Sequence, residues 1–318
     1  MITVKKKAKK KKPIPRKTSK YKIIADRLQT ISTQSIQTEY SKLRDFSCPQ
    51  VKKVSGRTSL GNKIVDAFTF VERLHTKGNK HVSFYTFWEN RRVYKKKAFI
   101  KNLLTFYKTR KIDEIRKYKY IYNLYFSSIA IFRPIMAMEI YCRLKATRVL
   151  DFTMGWGGRL VGACALGLDA YYGVDINPHL KEPYNEMIAF LKSEPDHKTT
   201  IDVQFKDALL IDYTKLDYDC VFTSPPYYDI ETYRGSDEDK YKTKEDWNVH
   251  FYKPLFQKTY DSLKPGGSYC LNVPEYIYDD VCVPMFGKCT QKIPLKKGER
   301  VPGKDKYKEF VYVWWQRV

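Results

Sequence analysis

The spacing of apolar positions changes partway along this chain. Residues 21–47 carry Ile23, Ile24, Leu28, Ile31 and Ile36 at roughly helical spacing, ending at Cys48-Pro49. A polar segment with Ser55-Gly56 and Gly61 follows, then a predicted helix on Ile64, Val65, Phe68, Val71 and Leu74 that leads to Gly78. From about residue 146 the runs become short and strand-like. Arg148 to Phe152 reads as a strand entering Gly155-Trp156-Gly157-Gly158, followed by a helix on Leu160, Val161, Ala163, Cys164 and Leu166 that stops at Gly167. Tyr171 to Asp175 reads as a second strand, 180–193 as a helix, Ile201 to Phe205 as a third strand and Cys220-Val221-Phe222 as a fourth. Tyr269 to Val273 and Phe310 to Trp315 are later apolar runs, the last expected to close the sheet. Alternating strand and helix is the pattern of a doubly wound α/β fold.

Composition adds a polyanionic partner. The 318 residues are 43% hydrophobic, enough for one large core or two moderate ones, and carry a formal charge of +24. Residues 1–20 hold ten Lys or Arg and no acid, so this tail is expected to be disordered, as a localisation signal, a nucleic-acid tether or a solubility device. The other 298 residues still carry +14. No apolar stretch follows the lysines, and no uninterrupted apolar run of about 18 residues occurs. An intracellular protein is expected, nuclear or cytoplasmic. The seven cysteines are odd in number with no Cys-x-x-Cys, which reads as reduced core thiols with no disulfide framework and no metal site.

Between Phe84 and Tyr125 aromatic residues interleave with Lys and Arg, as in Phe87, Trp88, Arg91, Arg92, Tyr94 and Lys95 to Lys97. Two readings stand side by side: a surface that stacks bases and contacts phosphates, or core aromatics on helices whose outer faces are coated with lysine. The expected division is a tail (1–20), a mainly helical region with possible nucleic-acid recognition (21–125) and a catalytic domain (126–318).

The chemistry concentrates in two loops. After the fourth strand comes Thr223-Ser224-Pro225-Pro226-Tyr227-Tyr228-Asp229. Two prolines fix the backbone and push Ser224 to an extended conformation, so a hydroxyl and neighbouring carbonyls are held as rigid acceptors, while Tyr227 offers a stacking face. After the first strand, a glycine-rich turn lets backbone approach a ligand, and Asp175, 24 residues beyond Asp151, can accept from ribose hydroxyls.

In order, Asp151-Phe152-Thr153-Met154-Gly155-Trp156-Gly157-Gly158, Asp175, Asp207-Ala208 and Ser224-Pro225-Pro226-Tyr227 resemble the motif series of S-adenosylmethionine-dependent DNA amino-methyltransferases, which make N6-methyladenine or N4-methylcytosine. Leu263 to Gly267 resembles the turn before the fifth strand of that fold, and Phe132-Arg133-Pro134 the segment covering the methionine end of the cofactor. The strings Phe222 to Tyr233, Asp151 to Cys164, Asn62 to Leu74 and Val82 to Asn90 look most like methylases of phages and large DNA viruses. The catalytic resemblance spans about residues 126–318 and implies a class I methyltransferase, Rossmann-like, with a mostly parallel seven-stranded sheet and helices on both faces; the likeness to viral methylases adds a viral replication site in a host to the expected locations.

It also implies roles. Gly155 and Gly157 approach the methionine portion of S-adenosylmethionine, with Phe152 beside them and Asp151 near its amino group; Asp175 binds the ribose and Asp207 faces the adenine. A cap or turn role is the alternative for each acid. Ser224, Pro225, Pro226 and Tyr227 hold the target base, with Tyr228, Glu231 and Tyr233 as further substrate contacts. An exocyclic amino nitrogen is a poor nucleophile because its lone pair is delocalised, so acceptors that draw it toward tetrahedral geometry are the useful device. Only 85 residues follow Tyr233, and these are needed to finish the sheet, so target recognition is expected from the N-terminal region or from loop 229–247. Ser224 stands where adenine-specific members usually have Asp or Asn, which leaves adenine and cytosine both open. An RNA base methyltransferase and an inactive nucleic-acid-binding subunit are the rival readings.

Overall fold

A computed structural model describes residues 20–54, 58–78, 80–126, 129–228, 240–295 and 310–315. The amino-terminal helices are α1 (Lys20–Leu28), α2 (Thr33–Arg44), α3 (Cys48–Val54), α4 (Asn62–His75), α5 (Phe84–Glu89), α6 (Arg91–Tyr94), α7 (Ala98–Phe106) and α8 (Glu114–Tyr125). The helical spacing read over 21–47 is carried by two helices. Ser32 accepts from the Ser35 amide and starts α2 afresh, and the expected stop at Cys48-Pro49 is instead the first turn of α3. Lys20, counted above with the tail, opens α1 and pairs with Glu89 at 2.6 Å; residues 1–19 lie outside the described residues.

The sheet follows. α9 (Pro134–Leu144) leads into β1 (Arg148–Asp151), α10 (Gly158–Leu166), β2 (Ala170–Asp175), α11 (Lys181–Ser193), β3 (Thr200–Phe205) and β4 (Cys220–Thr223). Then come α12 (Lys244–Trp247), a π-helical turn at Asn248–Tyr252, α13 (Lys253–Asp261), β5 (Ser268–Val273), α14 (Glu275–Ile277), α15 (Val283–Phe286), β6 (Gln291–Pro294) and β7 (Phe310–Trp315). The seven strands run in the order β3-β2-β1-β4-β5-β7-β6, all parallel except β7, which is antiparallel to both neighbours. This is the class I methyltransferase fold that the resemblance implied. β6, with burial only at Ile293, gave no apolar run to read.

Helices cover both faces. On one, α9, α10 and α11 pack with Val149, Tyr171, Phe222 and Val313; on the other, Phe251, Leu255 and Phe256 pack with Leu150, Val221, Leu271 and Tyr312. The expected boundary at 125/126 is not a boundary of packing. Ile36, Tyr40, Leu43, Ile64 and Val65 belong to the same core as α9 and α10, so α2 to α4 form an outer layer on the helices that cover the sheet. α1, α5, α7 and α8 close a separate small core around Phe84, Phe87, Ile100, Ile121 and Tyr122. The aromatic and basic region is therefore divided: Phe84, Tyr85 and Phe87 are core, whereas Phe99, Phe106 and Tyr120 are exposed.

The cysteine expectation is corrected at one pair. Cys48 and Cys142 form a disulfide, with Cα atoms 5.5 Å apart. Their separation of 94 residues hid a contact that exists only because α3 packs on α9. Cys164, Cys220, Cys270 and Cys282 are free and buried, and Cys289 is free and half-buried. Among the described residues no helix is long and apolar enough to cross a membrane.

Candidate active site

Because β1, β2 and β4 are parallel, their carboxyl ends open at one edge of the sheet, and the loops leaving them meet there. In the loop after β1, Gly155 and Gly157 have φ of +57° and +92°, a region costly for any residue with a Cβ. The Gly155 amide donates to Asp175 Oδ2 at 2.8 Å and the Asn177 amide to Oδ1 at 2.9 Å. Tyr184 braces the same turn from α11, donating to the Gly155 carbonyl at 3.0 Å. Each Asp175 oxygen keeps further acceptor capacity. Burial pushes this carboxyl up to about 6, against the opposing pull of the two amides. Beside it Ile176 is 44% exposed, an apolar side chain left at the mouth of the loop.

Asp207 both caps a turn and forms an ion pair. Its Oδ1 accepts from the Leu209 amide at 3.0 Å and its Oδ2 lies 2.6 Å from Lys240 Nζ. Burial alone would raise this carboxyl, but the Lys240 and Leu209 hydrogen bonds outweigh it and hold it below its ordinary value.

Asp151 and Phe152 depart from the roles expected for them. The Asp151 carboxylate is fully buried and accepts four hydrogen bonds: from Arg159 Nε (2.7 Å) and Nη2 (3.1 Å), Tyr171 (2.6 Å) and Thr223 (2.8 Å). All its lone pairs are used within the protein, so it ties β1 to α10, β2 and β4 and has none to spare for a ligand amino group. The Phe152 side chain is likewise fully buried, packed 6.0 Å from Phe256 under the sheet, which leaves only its backbone near the cleft.

Phe132-Arg133-Pro134 enters from the side. Pro134 starts α9, and the Phe132 ring meets Phe222 edge-on at 5.3 Å, with the Arg159 guanidinium 5.5 Å from its centroid. Arg133 is turned away, donating to the Thr58 carbonyl at 2.8 Å. Gly158, at the start of α10, lies so close beneath this segment that an added Cβ would overlap the Phe132 carbonyl oxygen.

The loop after β4 is held from several sides. Thr223 donates to Asp151, and its hydroxyl also meets the Thr153 amide (3.2 Å) and hydroxyl (2.6 Å), so the two loops share one hydrogen-bonded joint. Ser224 Oγ lies 2.9 Å from the Tyr227 hydroxyl, and Asn272 Nδ2 on β5 donates to both, at 3.2 and 3.1 Å. Tyr227 also donates to the Asn272 carbonyl at 3.0 Å. Pro225 is buried and Pro226 half-buried. Tyr252, in the π-helical turn, donates to the Pro226 carbonyl at 2.6 Å and accepts from the Tyr228 amide at 3.1 Å.

Tyr228 is a correction to the substrate contacts. Its φ is +54°, its side chain is buried, stacked on Tyr276 at 5.5 Å, and its hydroxyl meets Asn248 at 3.1 Å. It anchors the loop from below. Glu231 and Tyr233, like Asp229 and Arg234, lie outside the described residues, as does loop 229–247 up to residue 239.

Thr223, Asn272, Tyr252, Arg159 and Ile176 carry much of this geometry without having been singled out by role. For Asn272 a signal was legible: an amide inside the otherwise apolar run Tyr269 to Val273, on a strand buried at every position. For Tyr252 none was, because a tyrosine in an aromatic helix reads as core.

No family model and no curated protein matches this chain. Among solved structures it is similar to TrmN from Thermus thermophilus, 17% identical over 58% of this chain and 49% of that one, with a TM-score of 0.38. It is also similar to a putative RNA methyltransferase from Pyrococcus horikoshii, with 14% identity, 58% and 83% coverage and a TM-score of 0.39. An rRNA methylase from Streptococcus thermophilus gives 14% identity, 60% and 100% coverage and a TM-score of 0.39. The match spans about half the length of the first of these. At such identities the likeness is one of fold.

Proposed function

We propose that this chain is an S-adenosylmethionine-dependent methyltransferase that methylates the exocyclic amino group of a nucleic-acid base, adenine N6 or cytosine N4, in DNA. One observation carries the reading: the Ser224, Tyr227 and Asn272 network is joined through Thr223 and Asp151 to the loop of Gly155 and Gly157. An acceptor set and a nucleotide-type cradle thus share one rigid frame.

The residues present fit the cofactor. The left-handed glycines expose backbone at the cradle, Asp175 keeps acceptor capacity for ribose hydroxyls, and Ile176 offers an apolar contact for an adenine face. When bound, S-adenosylmethionine supplies an electrophilic methyl group on sulfonium. On the other side, the Ser224 hydroxyl and the Pro225 carbonyl accept from the target amino group and aim its lone pair, while Tyr227 stacks on the base. Asn272 and Tyr252 fix the loop that does this. Positioning in a dry, preorganised frame is the protein's main contribution to rate.

The test is direct. The full chain is incubated with labelled S-adenosylmethionine and unmodified DNA or RNA, the polymer is digested, and the labelled nucleoside is identified by mass spectrometry. N6-methyladenosine or N4-methylcytidine in the deoxy series supports the proposal; label confined to ribonucleosides transfers the reading to RNA, and no label on any base overturns it.

A further inference from the structure

The +24 charge is not spread over the molecule. Residues 126–318 hold 26 Lys or Arg against 27 Asp or Glu, so the catalytic half is close to neutral. Residues 91–125, which make α6, α7 and α8, hold twelve Lys or Arg against two acids. Both of those acids are engaged: Asp113 pairs with Arg27 at 2.6 Å, and Glu114 lies 4.0 Å from Arg91. Lys101, Lys108 and Lys111 are exposed and have no ion-pair partner among the described residues.

The same helices leave rings uncovered. Phe99, Phe106 and Tyr120 are 48%, 57% and 47% exposed. Phe99 and Phe106 are seven residues apart on α7, hence on nearly one face and about 10 Å apart along the axis. Around Phe106 the rings and cations are already ordered: Tyr107 lies 5.2 Å away and stacks on Tyr120 at 6.0 Å and 23°, and Arg110 sits 4.7 Å above the Phe106 ring. Exposed rings cost free energy in water, and a basic face repels itself, so both features point to an occupant that is anionic and aromatic together.

We propose that the face formed by α7 and α8 binds single-stranded nucleic acid, its rings stacking on bases and its lysines contacting phosphates. This rests on the proposed function only for the class of substrate. Duplex DNA offers phosphates but hides its base faces, so the exposed rings would have nothing to stack on; a single strand offers both. A strand held here brings unstacked bases to the enzyme and spares it the cost of extruding one.

The experiment measures binding of the full chain, without cofactor, to a fluorescein-labelled single strand of about 12 nucleotides and to its duplex, by fluorescence anisotropy over a range of salt. At raised salt the purely electrostatic contribution of the lysine-rich first 20 residues fades, leaving stacking visible. Combining F106A with Y120A should weaken single-strand binding at least about tenfold and leave duplex binding within about threefold, while F106Y with Y120F restores it. Combining K101Q, K108Q and K111Q should lower the salt slope by about 2 on a single strand. DNA and RNA strands are both used, and either one showing this pattern supports the proposal. Single-strand affinity unchanged in the alanine pair, an equal loss on duplex, or a dimer of the wild-type chain that the alanine pair dissolves in light scattering overturns it. A chain that binds single strands but transfers no methyl group would sink the proposed function alone.

Discussion

The Gly155 amide donates to Asp175 Oδ2 at 2.8 Å, so the carboxylate that closes β2 also holds the glycine turn that follows β1. Burial raises this carboxyl from an ordinary value near 3.8 to about 6. Ribose hydroxyls donate best to the ionised form. Affinity for S-adenosylmethionine is therefore expected to rise as pH climbs through about 6 and to level off above 7, which calorimetry between pH 5 and 8 will read. Asp175→Asn should bind more weakly and lose the inflection; an inflection that survives in the variant belongs to another group. The stability sign is opposite. Between 3.8 and about 6 the folded chain binds a proton that the unfolded chain has released, so this group's contribution to stability falls as pH rises across that window.

Asn272 touches the loop after β4 from the neighbouring strand, donating to Ser224 and Tyr227 at once. Asn272→Ala removes both side-chain hydrogen bonds and leaves the two hydroxyls held only by each other and by the backbone carbonyl of residue 272, a looser arrangement. Because misplacement of about 1 Å costs on the order of 100-fold, kcat should fall by about that factor while S-adenosylmethionine affinity stays within a few-fold. Turnover at the wild-type rate would mean that Ser224 and Tyr227 are held by something else.

The glycine turn, Asp175 and the Ser-Pro-Pro-Tyr loop were legible because each is local: a backbone conformation, a strand end, a rigid dipeptide. The frame between them was not, because it is built from pairs far apart in sequence. Thr223 and Asp151 are 72 residues apart, Asn272 and Ser224 48, Tyr252 and Pro226 26. Asp151 shows the same limit from the other side. The resemblance implied a ligand contact for it, and only the meeting of Arg159, Tyr171 and Thr223 around it reveals a structural joint. The doubly wound class was accessible through the alternation of strand and helix, whereas the order of the strands was not, and the second small core could not be told from surface until α1 met α8.

That joint gives a stability prediction. Arg159 and Asp151 are both nearly inaccessible to solvent and hydrogen-bonded through two guanidinium nitrogens. Arg159→Met strands the carboxylate in the core, and breaking one side of such a pair costs about 3–5 kcal/mol. Urea unfolding should register this loss in full, and Asp151→Asn in the same chain should recover part of it by removing the charge. Equal losses in the single and double variants would show that the pair does not act as a unit.

Gly158 separates packing from propensity. As the first residue of α10 it has an ordinary helical conformation, and on propensity alone an exposed Gly→Ala change is expected to stabilise by up to about 1 kcal/mol. Here the added methyl would run into the Phe132 carbonyl, which is backbone and cannot rotate away. Displacing it shifts the Phe132 ring off Phe222, one residue before Thr223, so the disturbance passes into the loop after β4. Gly158→Ala should therefore lower stability by about 1–3 kcal/mol in urea unfolding. It should also weaken S-adenosylmethionine binding if Phe132 borders the methionine end of the cofactor, as the resemblance implies. A variant as stable as the parent would show that the 132–134 segment gives way, and unchanged cofactor affinity in that variant would remove the segment from the cofactor site.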